Sequence, residues 1–272
     1  MRSAIVANWT VIALFAFLAV RPAHAACTCP DRTPDLLLPR DGASGVPRNT
    51  RVLVSAARVG AAKWAAADAS AALPALKLVT MKGELPKPGA AVKASVSSML
   101  SEAWGTVYVV RPAKPLAAAT SYGLLLDEKG DERRLIGTFT TGKASDVTPP
   151  QFSGIDKLTA VVSFRPAMNA CDGETPFEEL TWRYGSATDD LGAPGDLVRF
   201  LYVQKKGEPR VLKLVEPVDA KPPVNAVNGS QCDPFRPRMR VGDEICAIVE
   251  VLDLAGNVAG SAAEKCMLAK KM

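Results

Sequence analysis

Histidine is all but missing from this chain. His24 is the single imidazole in 272 residues, and it lies in the opening segment. Beyond it, Ser-His-Asp and Cys-His catalysis are excluded, as is every His-ligated zinc, copper or iron site. Aromatic residues make up only 6% and are not interleaved with a basic run, which argues against nucleic acid as a partner. No C-x-x-C pair occurs: Cys27-Thr28-Cys29 is C-x-C, and no other pair has zinc-finger spacing. The glycines of Arg40–Thr50 are followed by no G-K-[ST] and no opening helix, so they form no phosphate cradle. The apolar run Val11–Val20 (VIALFAFLAV) is too short to cross a bilayer.

That run follows Arg2 and ends in Ala23-His24-Ala25, an A-x-A cleavage pattern. Residues 1–25 are therefore expected to be a signal peptide, with export to the periplasm, cell surface or medium. Cys27 raises lipidation as the alternative, although a lipoprotein signal wants an apolar residue where His24 stands. Membrane association is expected only if Cys27 carries a lipid. Two of the 33 basic residues, Arg2 and Arg21, leave with the leader, so 31 face 28 acidic ones. A net charge of about +3 implies neither nucleic acid nor anionic membrane. All six cysteines follow the leader. In an oxidising compartment they read as disulfides.

What is present is a succession of short alternating apolar runs. Leu36–Leu38, Arg51–Ala57, Leu76–Met81, Val92–Met99, Thr106–Val110, Tyr122–Leu126 and Leu135–Thr141 have strand periodicity, at the spacing of a sandwich. Gly60–Leu73 (GAAKWAAADASAAL) is the one helix-prone stretch of this half, good for a turn or two. Thr148-Pro149-Pro150 removes two backbone donors and ends any sheet, so two domains are expected, over residues 26–145 and 146–272. In the second, Leu158–Phe164, Leu180–Tyr184, Leu197–Gln204, Val211–Val215 and Ile245–Val251 read as strands. Glu216–Arg240 is Pro-rich and reads as a loop held by Cys232.

PRDGASGVPRNTRVLV resembles the opening of bacterial immunoglobulin-like repeats of surface and secreted proteins. Leu116, Thr120 and Tyr122 in LAAATSYGLLL resemble the L-x-x-x-T-x-Y of fibronectin type III-like sandwiches. There the tyrosine hydroxyl bonds backbone a few residues upstream. TFTTG at 138–142 resembles their last strand, and the Ala-rich insert departs from the pattern. In the second half Trp182 resembles the core tryptophan of the immunoglobulin fold, and Asp253-Leu-Ala-Gly-Asn257 a final-hairpin turn. The resemblance implies an all-β fold: two tandem immunoglobulin-like β-sandwiches. It also implies a non-catalytic structural or adhesive role toward a protein or glycan at the cell surface. A carbohydrate- or peptide-binding module is the alternative.

Clusters with chemical potential each have a plainer reading. Asp127, Glu128, Asp131 and Glu132 lack the order of a calcium loop and read as a solvated hairpin tip. Asp172, Glu174, Glu178 and Glu179 offer paired carboxylates with no visible cleft. Arg236, Arg238 and Arg240 alternate along a loop, and Trp64 and Trp104 read as packing residues. Asn228-Gly-Ser230 fits a glycosylation acceptor or a turn. No catalytic residue, cofactor or metal site is expected. For Cys171, Cys232, Cys246 and Cys266 three pairings exist. If Asp253 and Asn257 flank the last turn, Cys246 lies opposite residue 264. It then faces outward with Glu250, with Cys266 a diagonal neighbour about 7–8 Å away, so a bulge or frayed end must close the gap. Cys171–Cys232 with Cys246–Cys266 is the pairing expected.

Overall fold

A computed structural model describes residues 36–56, 58–59, 73–83, 87–101, 105–127, 133–164, 176–191, 196–219, 238–260 and 263–272. Among the described residues, nine strands lie before the Pro-Pro segment. They are β1 (Leu37–Leu38), β2 (Ala43–Val46), β3 (Val52–Ser55), β4 (Leu76–Lys82), β5 (Lys87–Ala91), β6 (Ala94–Ser101), β7 (Gly105–Pro112), β8 (Ser121–Asp127) and β9 (Arg133–Thr141). They pair into two sheets of order β1-β3-β7-β6 and β2-β9-β8-β4-β5. Every pairing is antiparallel except β2 on β9. Alternation decides the inner faces. Val52, Val54, Tyr108 and Val110 on one sheet share a buried core with Leu78, Tyr122, Leu124 and Phe139 on the other.

Two of these strands lie where periodicity does not point. β2 occupies part of the turn-rich Arg40–Thr50 segment. Its ladder to β9 needs only two pairings, Ala43 with Phe139 and Val46 with Thr141, so Gly45 in between is tolerated. β5 precedes a break at Val92-Lys93, where the chain passes between sheets. Val92 N–H still donates to the Leu78 carbonyl of one sheet, and Lys93 C=O accepts from Ala113 beside the other. All but Leu73 of the helix-prone stretch lies outside the described residues, as do Glu128, Asp131 and Glu132.

After the Pro-Pro segment come β10 (Gln151–Phe152), β11 (Ile155–Phe164), β12 (Pro176–Tyr184), β13 (Ala187–Thr188), β14 (Val198–Lys205), β15 (Val211–Pro217), β16 (Glu244–Leu252), β17 (Ala263–Leu268) and β18 (Lys270–Lys271). One sheet has the order β15-β14-β16-β17, a second β12-β11-β18, and β10 with β13 forms a ribbon. Here β12 returns directly against β11 as a hairpin, so the strand order of the first half is not repeated. The protein is an all-β sandwich.

In the sheet β15-β14-β16-β17, strands β14 and β15 carry buried apolar residues on both faces. Leu197, Leu201, Val203, Leu214, Ile245, Ala247, Val249 and Val251 form the second core with Leu158, Ala160, Val162 and Leu180. Val198, Phe200, Val215 and Leu254 belong instead to the core cluster of the first half. Leu53 and Val109, cross-strand partners on the outward face of β3 and β7, are members of that same cluster. A backbone hydrogen bond from Arg51 N–H to Leu254 C=O, 2.7 Å, also crosses between the halves.

Cys246 and Cys266 form a disulfide. They are direct cross-strand partners, not diagonal ones, and residue 264 faces Ile248. The expected register holds next to the turn, where Leu252 pairs with Val258. By Val249 and Ala263 it has shifted by two residues, so extra chain between Ala259 and Ala263 corrects the alignment. Cys246 is also buried where an outward position was expected, with 8% of its surface exposed. Cys27, Cys29, Cys171 and Cys232 lie outside the described residues.

Candidate functional site

The turn joining β16 to β17 is built by its acid. Asp253 Oδ1 accepts from the backbone N–H of Gly256, 2.6 Å, and of Asn257, 2.9 Å, while Oδ2 accepts from Asn257 Nδ2. Gly256 has a φ of +90°, and a Cβ there would meet the Arg51 guanidinium of the first half. Glycine therefore serves both the turn and the close approach.

Asp146, at the start of the connection between the halves, sits beside that turn. Its N–H donates to Asn49 Oδ1, 2.8 Å, and its carbonyl accepts from Asn49 Nδ2, 2.6 Å, and from Asn257 Nδ2, 3.3 Å. Its Oδ1 accepts from Thr148 N–H, 3.0 Å. Asp189 and Asp190, just after β13, bring two more carboxylates, and one oxygen from each of the three lies within 4.8 Å of the others. Asp146 is 0% exposed. Its Oδ2 and Asp189 Oδ1 are buried with no hydrogen-bond partner among the described residues. Burial, then the charge of Asp146, pushes the Asp189 carboxyl up to about 6. Burial raises Asp146 as well, against the Thr148 hydrogen bond and with Asp253 and Asp190 adding to the rise.

A second polar group lies inside the second core. Arg199 on β14 and Glu216 on β15 are cross-strand partners, both buried, with Nε and Oε1 3.4 Å apart. Arg199 Nη2 donates to the carbonyls of Val218, 2.7 Å, and Pro217, 3.3 Å, and its guanidinium carbon lies 4.0 Å over the Tyr184 ring. Burial raises the Glu216 carboxyl to about 7 although Arg199 opposes it, and burial raises the Tyr184 phenol too. This cluster ties the two sheets of the second sandwich together.

Of the residues singled out from sequence, Tyr122 is buried, its hydroxyl accepting from Ala117 N–H at 2.8 Å, with its ring stacked on Phe139. Trp182 is half-buried, its ring 6.3 Å from that of Tyr184 at the margin of the second core. Glu178, read as one of four paired carboxylates, is buried as a backbone anchor: it accepts from Met239 N–H at 3.0 Å, with Arg238 3.8 Å away. Asp172, Glu174, Arg236, Trp64, Trp104 and Asn228 lie outside the described residues. Asp127 pairs with Lys77 and Arg133. Sequence reading missed Asp146, Asp189 and Asp190. Adjacent aspartates at 189–190 were the only local signal, and nothing in the sequence ties them to residue 146.

No protein-family model matches the chain, and comparison with curated proteins returns no match either.

Proposed function

We propose that this is a non-catalytic, exported structural or adhesive protein, acting through the surfaces, loops and strand edges of two β-sandwiches, the first of them immunoglobulin-like. The observation that carries the reading is the pair of strands β14 and β15, which carry buried apolar residues on both faces and join the two halves through apolar packing. Such a join suits a rigid presenting or load-bearing element better than two independently moving modules. The first half supports the immunoglobulin-like assignment. Its four-stranded sheet has the order of the A-B-E-D sheet of that fold, and the facing sheet that of G-F-C with added edge strands. The buried Tyr122 hydroxyl, bonded to backbone upstream, is the corner such sandwiches use. The Cys246–Cys266 disulfide fits an oxidising compartment, as export requires.

One observation favours the second reading, a carbohydrate- or peptide-binding module. An open groove of about 470 Å³ runs between the halves, lined by Leu37 and Leu38 of β1 with Arg40, Arg58, Pro217 and Asp219. Its place beside the short strand β1 would suit an extended peptide. Array screening of the purified chain against glycans and surface proteins tests both. Saturable binding without turnover, unaffected by charge reversal at Arg58, is expected for the adhesive reading. Loss of binding in Arg58→Glu favours the groove, and catalytic turnover of an arrayed ligand overturns both.

A further inference from the structure

The carboxylates at the junction lack what buried carboxylates need. Asp146 is fully buried, one of its oxygens is held by Thr148 N–H, and the other has no partner among the described residues. Asp189 Oδ1 is in the same position. No described lysine or arginine forms an ion pair with Asp146, Asp189 or Asp190. Asp253 is saturated by its own turn, and the Arg51 side chain lies against Gly256. Desolvated charge of one sign, gathered without counter-charge, is costly unless something positive sits among it.

The geometry points to a binding site for one hard divalent cation, calcium, held by Asp146, Asp189 and Asp190 where the two halves meet. Calcium takes six to eight oxygen ligands at about 2.3–2.6 Å, so its ligand oxygens lie up to about 5 Å apart. The three carboxylates fall within that span. All donors are oxygens, which suits calcium and not a soft metal. Asp190 is exposed and leaves a side through which a hydrated ion arrives. The sequence expectation of no metal site rested on missing histidine and C-x-x-C pairs, and neither bears on an oxygen-ligated ion. An ion here would join the connection leaving β9 to the segment after β13, and so stiffen the junction. The inference goes beyond the structural or adhesive reading and does not depend on it.

Isothermal titration of the chelator-treated chain with calcium chloride tests it, with thermal unfolding in parallel. One ion per chain is expected, with a rise in Tm on addition. Asp189→Asn and Asp190→Asn should each weaken binding at least tenfold, and Asp127→Asn, at the far hairpin, should leave it unchanged. Asp190 is exposed, so its variant remains informative should Asp146→Asn fail to fold. Absence of binding overturns the site. Binding that survives in Asp189→Asn and Asp190→Asn, or that is lost in Asp127→Asn, overturns it as well.

Discussion

Tyr122 and Glu216 show how single polar atoms are treated in the two cores. The Tyr122 hydroxyl is the acceptor for Ala117 N–H, so Tyr122→Phe leaves a part-buried donor unpaired. A loss of about 1 kcal/mol is expected, read as a lower urea midpoint at unchanged m-value. Glu216 behaves differently because burial outweighs its cation. Its folded-state pKa of about 7 lies above the usual carboxyl value of 4.5, so between them the folded chain holds a proton the unfolded chain has released. Its stabilising contribution is therefore full below about pH 4.5 and is lost as pH rises through about 7. The groups facing it are Arg199 and Tyr184. Urea midpoints at pH 5 and pH 8 should differ more in the native chain than in Glu216→Gln. An equal difference in both would show that Glu216 does not titrate in this window.

Among elements, the β16–β17 hairpin is the most informative. Its ladder aligns Cys246 with Cys266, and the bond closes a loop with a sequence separation of 20 residues. Loop-closure entropy for that length is about 3 kcal/mol. Replacing both cysteines with serine should therefore lower stability by up to that amount, and reductant should then cost the variant less than it costs the native chain. A native chain whose midpoint is insensitive to reductant under denaturing titration would contradict it. The β14 strand shows a different economy of pattern. Val198, Phe200 and Tyr202 face the first half while Leu197, Leu201 and Val203 face the second core. From Leu197 to Val203 only Arg199, paired with Glu216, interrupts the apolar residues, as a strand covered on both faces requires.

For the whole molecule, the shared core predicts cooperative behaviour. Val198, Phe200, Val215 and Leu254 are buried with residues of the first sandwich, so exposing either half exposes part of the other. Calorimetry should show one unfolding transition. Phe200→Ala, at a position 5% exposed, should cost about 3 kcal/mol. Phe200→Asp should split the transition in two. Two transitions in the native chain would mean that the halves unfold independently and that this face contributes little.

The chain alone determined the all-β fold, because period-2 alternation is a local property of each strand. It also pointed to the tyrosine at the start of β8, whose hydroxyl reaches back only five residues to Ala117. Tertiary structure decided what depends on distant partners. β2 and β5 carry little apolar pattern and are strands because β9 and β4 offer them edges. The Cys246–Cys266 register turned on extra chain between Ala259 and Ala263, which a count from the turn does not reveal. The apolar run of β14 marks a strand, but not that its second face would meet the other half. Asp146 and Asp189–Asp190 are brought together by the β10–β13 ribbon, which sets Gln151 opposite Thr188, and by Asn49 and Asn257 holding the Asp146 backbone. Alternation says which side chains share a face. What covers that face is settled by contacts far apart in sequence.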